Sequence, residues 1–202
     1  MMILRSSPPS PFGRKVKIAA SLVGLHDEIE VVKTDTSDPD ETLRTQNPLC
    51  KIPVLILEDG TIIFDSRVIV EYFDLRAGGN RLLPSESKAR IKVLTDCALA
   101  DGILDAALLL VYEKRFRPPE THSQKWLALQ NEKVARGLAA FAAAPPGGRR
   151  DAAHIGLACA LGYLDLRLGG TWRADCPSLV PWLDAFAAEV PAFEATRVRS
   201  DN

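Results

Sequence analysis

Residues 47–76 read NPLCKIPVLILEDGTIIFDSRVIVEYFDLR. Two short apolar runs in them, residues 54–57 and 61–64, flank Asp59-Gly60, a dipeptide that makes a tight hairpin turn because glycine adopts positive φ without steric cost. Asp65 and Ser66 then stand before Val68, Ile69, Tyr72, Phe73 and Leu75, which recur at helical spacing until Gly78-Gly79 stops them. The stretch predicts two antiparallel strands and a helix with those five side chains inward.

Working upstream, residues 2–6 are extended. Pro11 opens a segment whose Phe12, Val16, Ala19, Ala20 and Val23 form a helical stripe ending at Gly24. Residues 29–33 make another strand, and the order strand, helix, strand favours a parallel pair with a right-handed crossover. Residues 38–47 are polar and read as irregular. The first 83 residues are thus a βαβ unit followed by ββα.

Downstream of Leu82-Leu83-Pro84 every periodic segment is helical. The helices are expected over 86–116, 120–143, 151–168 and 178–189, separated by Pro118-Pro119, by Pro145-Pro146-Gly147-Gly148 and by residues 169–177. The fold class is α/β plus all-α, with domains at 1–83 and 84–202.

Composition narrows the function. The 202 residues carry a net charge of −1 with 47% hydrophobic content, which supports a packed core and gives no basic stripe for nucleic acid or an anionic membrane. The longest uncharged apolar run, residues 155–164, is half of the roughly 20 needed to span a bilayer. Few residues precede the first charge, Arg5, too few for the apolar core of a signal peptide. The cysteines at 50, 97, 159 and 176 show no CxxC spacing, and the three histidines lie apart, so a reducing cytoplasm and no metal are expected.

Several residues admit two readings. Ser10 before Pro11 is in the position of a helix cap, the commoner role, yet a hydroxyl at a helix N-terminus can also donate to a bound thiolate. Ile52-Pro53 is locally a strand entry. Asp65-Ser66 is either a second cap or a corner where a hydroxyl and backbone N–H groups hold a carboxylate while Asp65 accepts from an ammonium. Lys51 is a solvated charge or a partner for a second carboxylate. A zwitterionic amino-acid end would use both halves of the Asp65-Ser66 corner.

SPFGRKVKIAASLVGL at 10–25, followed by the stretch at 47–76, resembles the glutathione-binding domain of the glutathione S-transferase superfamily. RFRPPE at 115–120, AHIGLACALGYLDLR at 153–167 and CPSLVPWLDAFAAEVPAF at 176–193 resemble its helical domain. The resemblance, to bacterial-type members with serine facing the thiol, implies a thioredoxin-like first domain, a helical bundle, and glutathione as co-substrate. It implies that Ser10 faces the sulfur, with Ser7 as its competitor. Phe12 adjoins the tripeptide, and Ile52, before a cis Pro53, pairs with the cysteinyl backbone. Asp65 and Ser66 hold the γ-glutamyl end, and Lys51 lies near the glycyl carboxylate.

A second-substrate wall would include Phe12, Leu109, Tyr112 and Phe116, for which core packing is the default reading. Cys50 stands where relatives usually have glycine. Asp151 and His154 stand where they have Ser or Thr and, three residues on, Asp; this keeps a helix cap but removes the usual capping partner. The activity implied is conjugation of glutathione to an apolar electrophile by a homodimer. The alternatives are glutathione-dependent thiol reduction or peroxide cleavage, disfavoured by Ser10 and Gly13, and a binding protein without turnover.

Overall fold

The computed structural model describes residues 1–39 and 41–198. It opens with β1 (Met2–Ser6), α1 (Pro11–Val23), a 3-10 turn at His26–Glu28, β2 (Ile29–Lys33) and the four-residue α2 (Leu43–Gln46). Next come β3 (Val54–Ile56), β4 (Ile62–Ile63) and α3 (Ser66–Arg76). The remainder is helical. It comprises α4 (Ser87–Phe116), a 3-10 turn at Pro119–Thr121, α5 (Gln124–Ala143), α6 (Ala152–Leu168), α7 (Trp172–Asp175), α8 (Leu179–Glu189) and α9 (Pro191–Ala195). A mixed α/β domain of thioredoxin-like order is followed by helices alone.

The sheet has the order β2-β1-β3-β4. β1 pairs with β2 in parallel, Leu4 opposite Val31, and with β3 antiparallel, Arg5 opposite Val54. β3 and β4 form the expected hairpin, Leu55 opposite Ile63, with Gly60 at φ +87° in its turn. α1 and α3 pack together, with Val16, Ile18, Ala19, Ile69 and Phe73 buried under Leu4 and Leu55 of the sheet. Alternation along β1 and β3 puts these apolar residues on the covered face, where each contributes about 1.5–3 kcal/mol by leaving water.

Three expectations need correction. The inward set of α3 is Ile69, Val70, Phe73 and Asp74, while Val68 and Leu75 are exposed. An eleven-residue helix with apolar residues on two sides can bury only the side that meets α1. Residues 38–47 are not wholly irregular, since α2 occupies part of them, and α7 and α9 are additional short helices. Helices of four or five residues are too short to show a period.

The chain divides into two compact units. Among the described residues, the first is Met1–Arg90 with Val190–Val198, and the second is Ile91–Glu189. In the first unit, the Arg14 guanidinium of α1 donates to Phe193 O at 2.5 Å and to Thr196 Oγ1 at 3.2 Å, and stacks 4.0 Å over the Phe193 ring. That contact fastens α9 to α1. In the second unit the buried centre is α6, whose residues 152–161 are all buried.

The start of α6 shows the part His154 plays in the cap. Asp151 Oδ1 accepts from the N–H groups of Ala153 and His154, at 3.0 and 3.2 Å. The imidazole Nδ1 lies 3.4 Å from the Asp151 N–H and 2.8 Å from Oδ1, so histidine closes the capping box in place of the carboxylate expected there. Its ring stacks on Trp182 of α8, which stacks on Phe186.

Candidate active site

Three turns meet at one end of the sheet. β1 runs into the loop that delivers Ser10, β3 begins just after Pro53, and β4 leads into Asp65 and Ser66. Because Arg5 faces Val54 and Leu55 faces Ile63, extending the ladder puts Ser6, Pro53 and Asp65 at one level. Antiparallel pairing therefore brings together residues far apart in the chain.

Ser10 is the cap of α1, with Pro11 as its first residue. Its Oγ accepts from Gly13 N–H at 3.1 Å, and the residue is half-buried. The capping reading is therefore realised. An acceptor bond uses a lone pair and leaves the hydroxyl proton able to donate, so capping and contact with an anion are compatible. Ser7, also half-buried, accepts Ser10 N–H at its carbonyl at 3.1 Å. Its backbone thus helps shape the loop.

Gly13 answers to packing. A Cβ built there would lie 2.1 Å from Ser6 Oγ, which is buried. A side chain there requires the Ser6 hydroxyl to move. This constraint was invisible in the sequence, where Ser6 reads only as the end of a strand.

The Ile52–Pro53 peptide is cis, and so is Phe64–Asp65, which does not involve proline. Ahead of Pro53, the buried Asn47 donates from Nδ2 to Lys51 O at 2.9 Å. Its Oδ1 accepts from Leu49 N–H at 3.0 Å. One asparagine thereby braces the turn that presents Lys51 and Ile52. Lys51 itself is exposed. Cys50 holds φ +50°, a left-handed conformation that glycine takes freely, which gives a physical meaning to the glycine of relatives. Its half-exposed thiol donates to Thr36 O at 3.7 Å.

Asp65 caps α3, accepting from Arg67 N–H at 2.9 Å. Its carboxylate also meets the Arg67 guanidinium at 2.8 Å. Partial burial pushes the Asp65 pKa up. The Arg67 hydrogen bonds and the charges of Arg67 and Lys15 outweigh that and hold it below the usual carboxylate range. Ser66 is buried at the first turn of the helix. Lys15 is only 5% exposed, and its ammonium lies 5.6 Å from the centre of the Phe12 ring. Sequence reasoning missed Lys15, Arg67 and Asn47, each an ordinary polar residue until the fold supplies its neighbour.

Leu109, Tyr112 and Phe116 lie on α4 at spacings of three and four, so they share one face. All three are exposed, Phe116 at 70%, which corrects the default of core packing. Tyr112 and Phe116 meet edge to face at 5.2 Å. Among the described residues no group of three or more His, Cys, Asp or Glu could hold a metal, and no helix is long and apolar enough to cross a membrane. All four cysteines are free thiols.

Residues 9–76 match the glutathione S-transferase N-terminal domain and residues 124–185 the glutathione S-transferase C-terminal domain. The chain is 36% identical over 185 residues to the uncharacterized GST-like protein YibF of Escherichia coli (strain K12), covering 89% of this chain and 90% of that protein. A glutathione transferase family member from Pseudomonas fluorescens Pf-5, solved with bound glutathione, is 38% identical with a TM-score of 0.90, over 98% of this chain and 100% of that one. A glutathione S-transferase from Methylobacillus flagellatus KT with glutathione bound is 35% identical, also at TM-score 0.90, over 98% and 100% of the two chains. The chain belongs to the glutathione S-transferase family.

Proposed function

We propose that the protein is a bacterial-type glutathione transferase that joins the glutathione sulfur to an apolar electrophile, with Ser10 as the residue facing the thiol. The observation that carries this reading is the half-buried Ser10 hydroxyl at the start of a thirteen-residue helix, accepting from Gly13 N–H and retaining its proton to donate. The glutathione held by the similar proteins from P. fluorescens and M. flagellatus supports the choice of co-substrate.

A free thiol with pKa near 8.5 is about 1% ionised at pH 6.5, so stabilising the thiolate raises the reactive fraction directly. The Ser10 hydroxyl and the partial positive charge of the α1 N-terminus both favour the anion over the thiol. Asp65 accepts from the γ-glutamyl ammonium, and Ser66 offers its hydroxyl and N–H to the neighbouring carboxylate. Arg67, bound to Asp65, keeps that acceptor ionised and aimed. Ile52 pairs through its backbone with the cysteinyl residue, Phe12 lies alongside, and Lys51 meets the glycyl carboxylate. Leu109, Tyr112 and Phe116 offer the electrophile an apolar surface on α4. The sulfur attacks the electrophilic carbon, the leaving group or a π-bond takes the electron pair, and the thiol proton passes to solvent.

Glutathione-dependent reduction is disfavoured. Serine forms no mixed disulfide, and Gly13 supplies no second thiol three residues later. The division into a glutathione-binding domain at 1–83 and a helical domain at 84–202 belongs to the same proposal. So do a reducing, cytoplasmic setting for the four free thiols and a homodimer that covers the exposed apolar residues Phe64, Val68 and Leu75 of the first unit.

The deciding experiment is turnover of a broad electrophile panel by wild type and Ser10→Ala, with glutathione binding measured by calorimetry. Ser10→Ala is expected to lower kcat/KM by about ten- to a hundredfold and to raise the pKa of bound glutathione, leaving affinity within about threefold. Glutathione binding without any serine-dependent turnover would instead make the protein a binder.

A further inference from the structure

Within the second unit, α4 and α6 bring together polar groups that the glutathione-facing residues do not use. Tyr112 and Phe116 belong to the exposed apolar face of α4, and Arg115 stands beside them, its guanidinium 5.7 Å from the centre of the Tyr112 ring. On α6, Tyr163 and Arg167 are four residues apart and share a face. The two faces meet, since Arg167, Tyr112 and Arg115 all lie close enough to act on the charge of the Tyr163 hydroxyl.

These groups are short of partners. Arg117 pairs with Glu113 and Arg173 with Asp165, whereas the exposed Arg115 and Arg167 meet no carboxylate among the described residues. Arg115 touches only the face of a ring, which leaves the N–H fork of its guanidinium open. Tyr163 is 5% exposed, and its hydroxyl makes no hydrogen bond to any described residue. A tyrosine so deeply buried ordinarily finds a partner for that group. Burial pushes its pKa up against the pull of Arg167, so the hydroxyl keeps its proton and can donate. Two guanidiniums and a hydroxyl donor, with no acid paired to them, match an anion.

We propose that this face takes an aromatic compound bearing a carboxylate, its ring against Tyr112 and Phe116 and its carboxylate among Arg115, Arg167 and the Tyr163 hydroxyl. The arginine fork fits a carboxylate with paired N–H···O bonds, and the two rings offer an aromatic guest offset or edge-on contacts. That this compound is the electrophile rests on the transferase reading above, whose apolar substrate thereby acquires an anionic end. A wholly apolar electrophile would use the rings and leave both cations and the hydroxyl unmatched.

The test compares 4-chloro-3,5-dinitrobenzoate with its neutral carboxamide as acceptors of glutathione. In both, sulfur bonds to the ring carbon that carries chlorine, chloride leaves with the electron pair of the broken bond, and the thiol proton passes to solvent. With each kcat/KM divided by the uncatalysed rate constant, the acid is expected to be favoured by about tenfold or more. Arg115→Gln combined with Arg167→Gln should abolish that preference, and Tyr163→Phe should lower it, with the thermal midpoint of each variant as in wild type. Calorimetry of biphenyl-4-carboxylate against biphenyl-4-carboxamide reads the same preference without chemistry. An acid bound no better than its amide, or a preference that survives the double substitution, would overturn the proposal. Turnover of neither electrophile, together with arginine-dependent binding of the carboxylate, would support the anion site and dismiss the transferase reading instead.

Discussion

At the scale of single residues, Gly13 and Ser10 divide the work at the start of α1. Ser10 must be small and polar to cap the helix and still reach outward. Gly13 must be smaller still, because Ser6 Oγ occupies the place of its Cβ. Gly13→Ala is therefore expected to destabilise the protein by about 1–3 kcal/mol through overpacking, although alanine is the better helix former. Urea unfolding would read the loss, and a stability equal to or above wild type would mean that Ser6 can move aside. The caps Ser10 and Asp65 were legible because each is a small polar residue placed just before a helical stripe. Arg67, Asn47 and Lys15 were not, since their partners are set by turns and pairings that no local period encodes.

At the scale of elements, the cap of α6 controls the most buried helix of the chain. Asp151 satisfies two N–H groups that would otherwise face the interior, and the His154 ring leans on the same carboxylate. Asp151→Ala should cost about 1–2 kcal/mol, seen as a lower urea midpoint with an unchanged slope. A changed slope would mean that α6 and its neighbours no longer unfold together. The long helices α4, α5, α6 and α8 could be read from periodicity and breakers, and β1 to β4 from alternation and turn residues. α2, α7 and α9 could not, being one turn or little more, and their existence depends on packing. The inner face of α3 was misassigned because apolar residues occur on both its sides, and the sequence does not say which side meets α1.

At the scale of the whole molecule, the exposed apolar residues of α3 and of the start of α4 require an explanation. Leu75 is 65% exposed, and Phe64 and Val68 of the same unit are exposed as well; Ile91 of the second unit is 63% exposed. Under the homodimer proposal, light scattering should give twice the chain mass for wild type, and Leu75→Glu with Ile91→Glu should shift it toward the monomer. A wild type that stays at one chain mass at high micromolar concentration would leave these residues to another partner. The hold of Arg14 on Phe193 and Thr196 has a consequence for biosynthesis. The strand-and-helix unit is complete only with residues 190–198, and these are translated after the entire helical unit. A ribosome therefore finishes about a hundred further residues before Arg14 can meet Phe193 and Thr196, so that this clasp is the part of the unit made last.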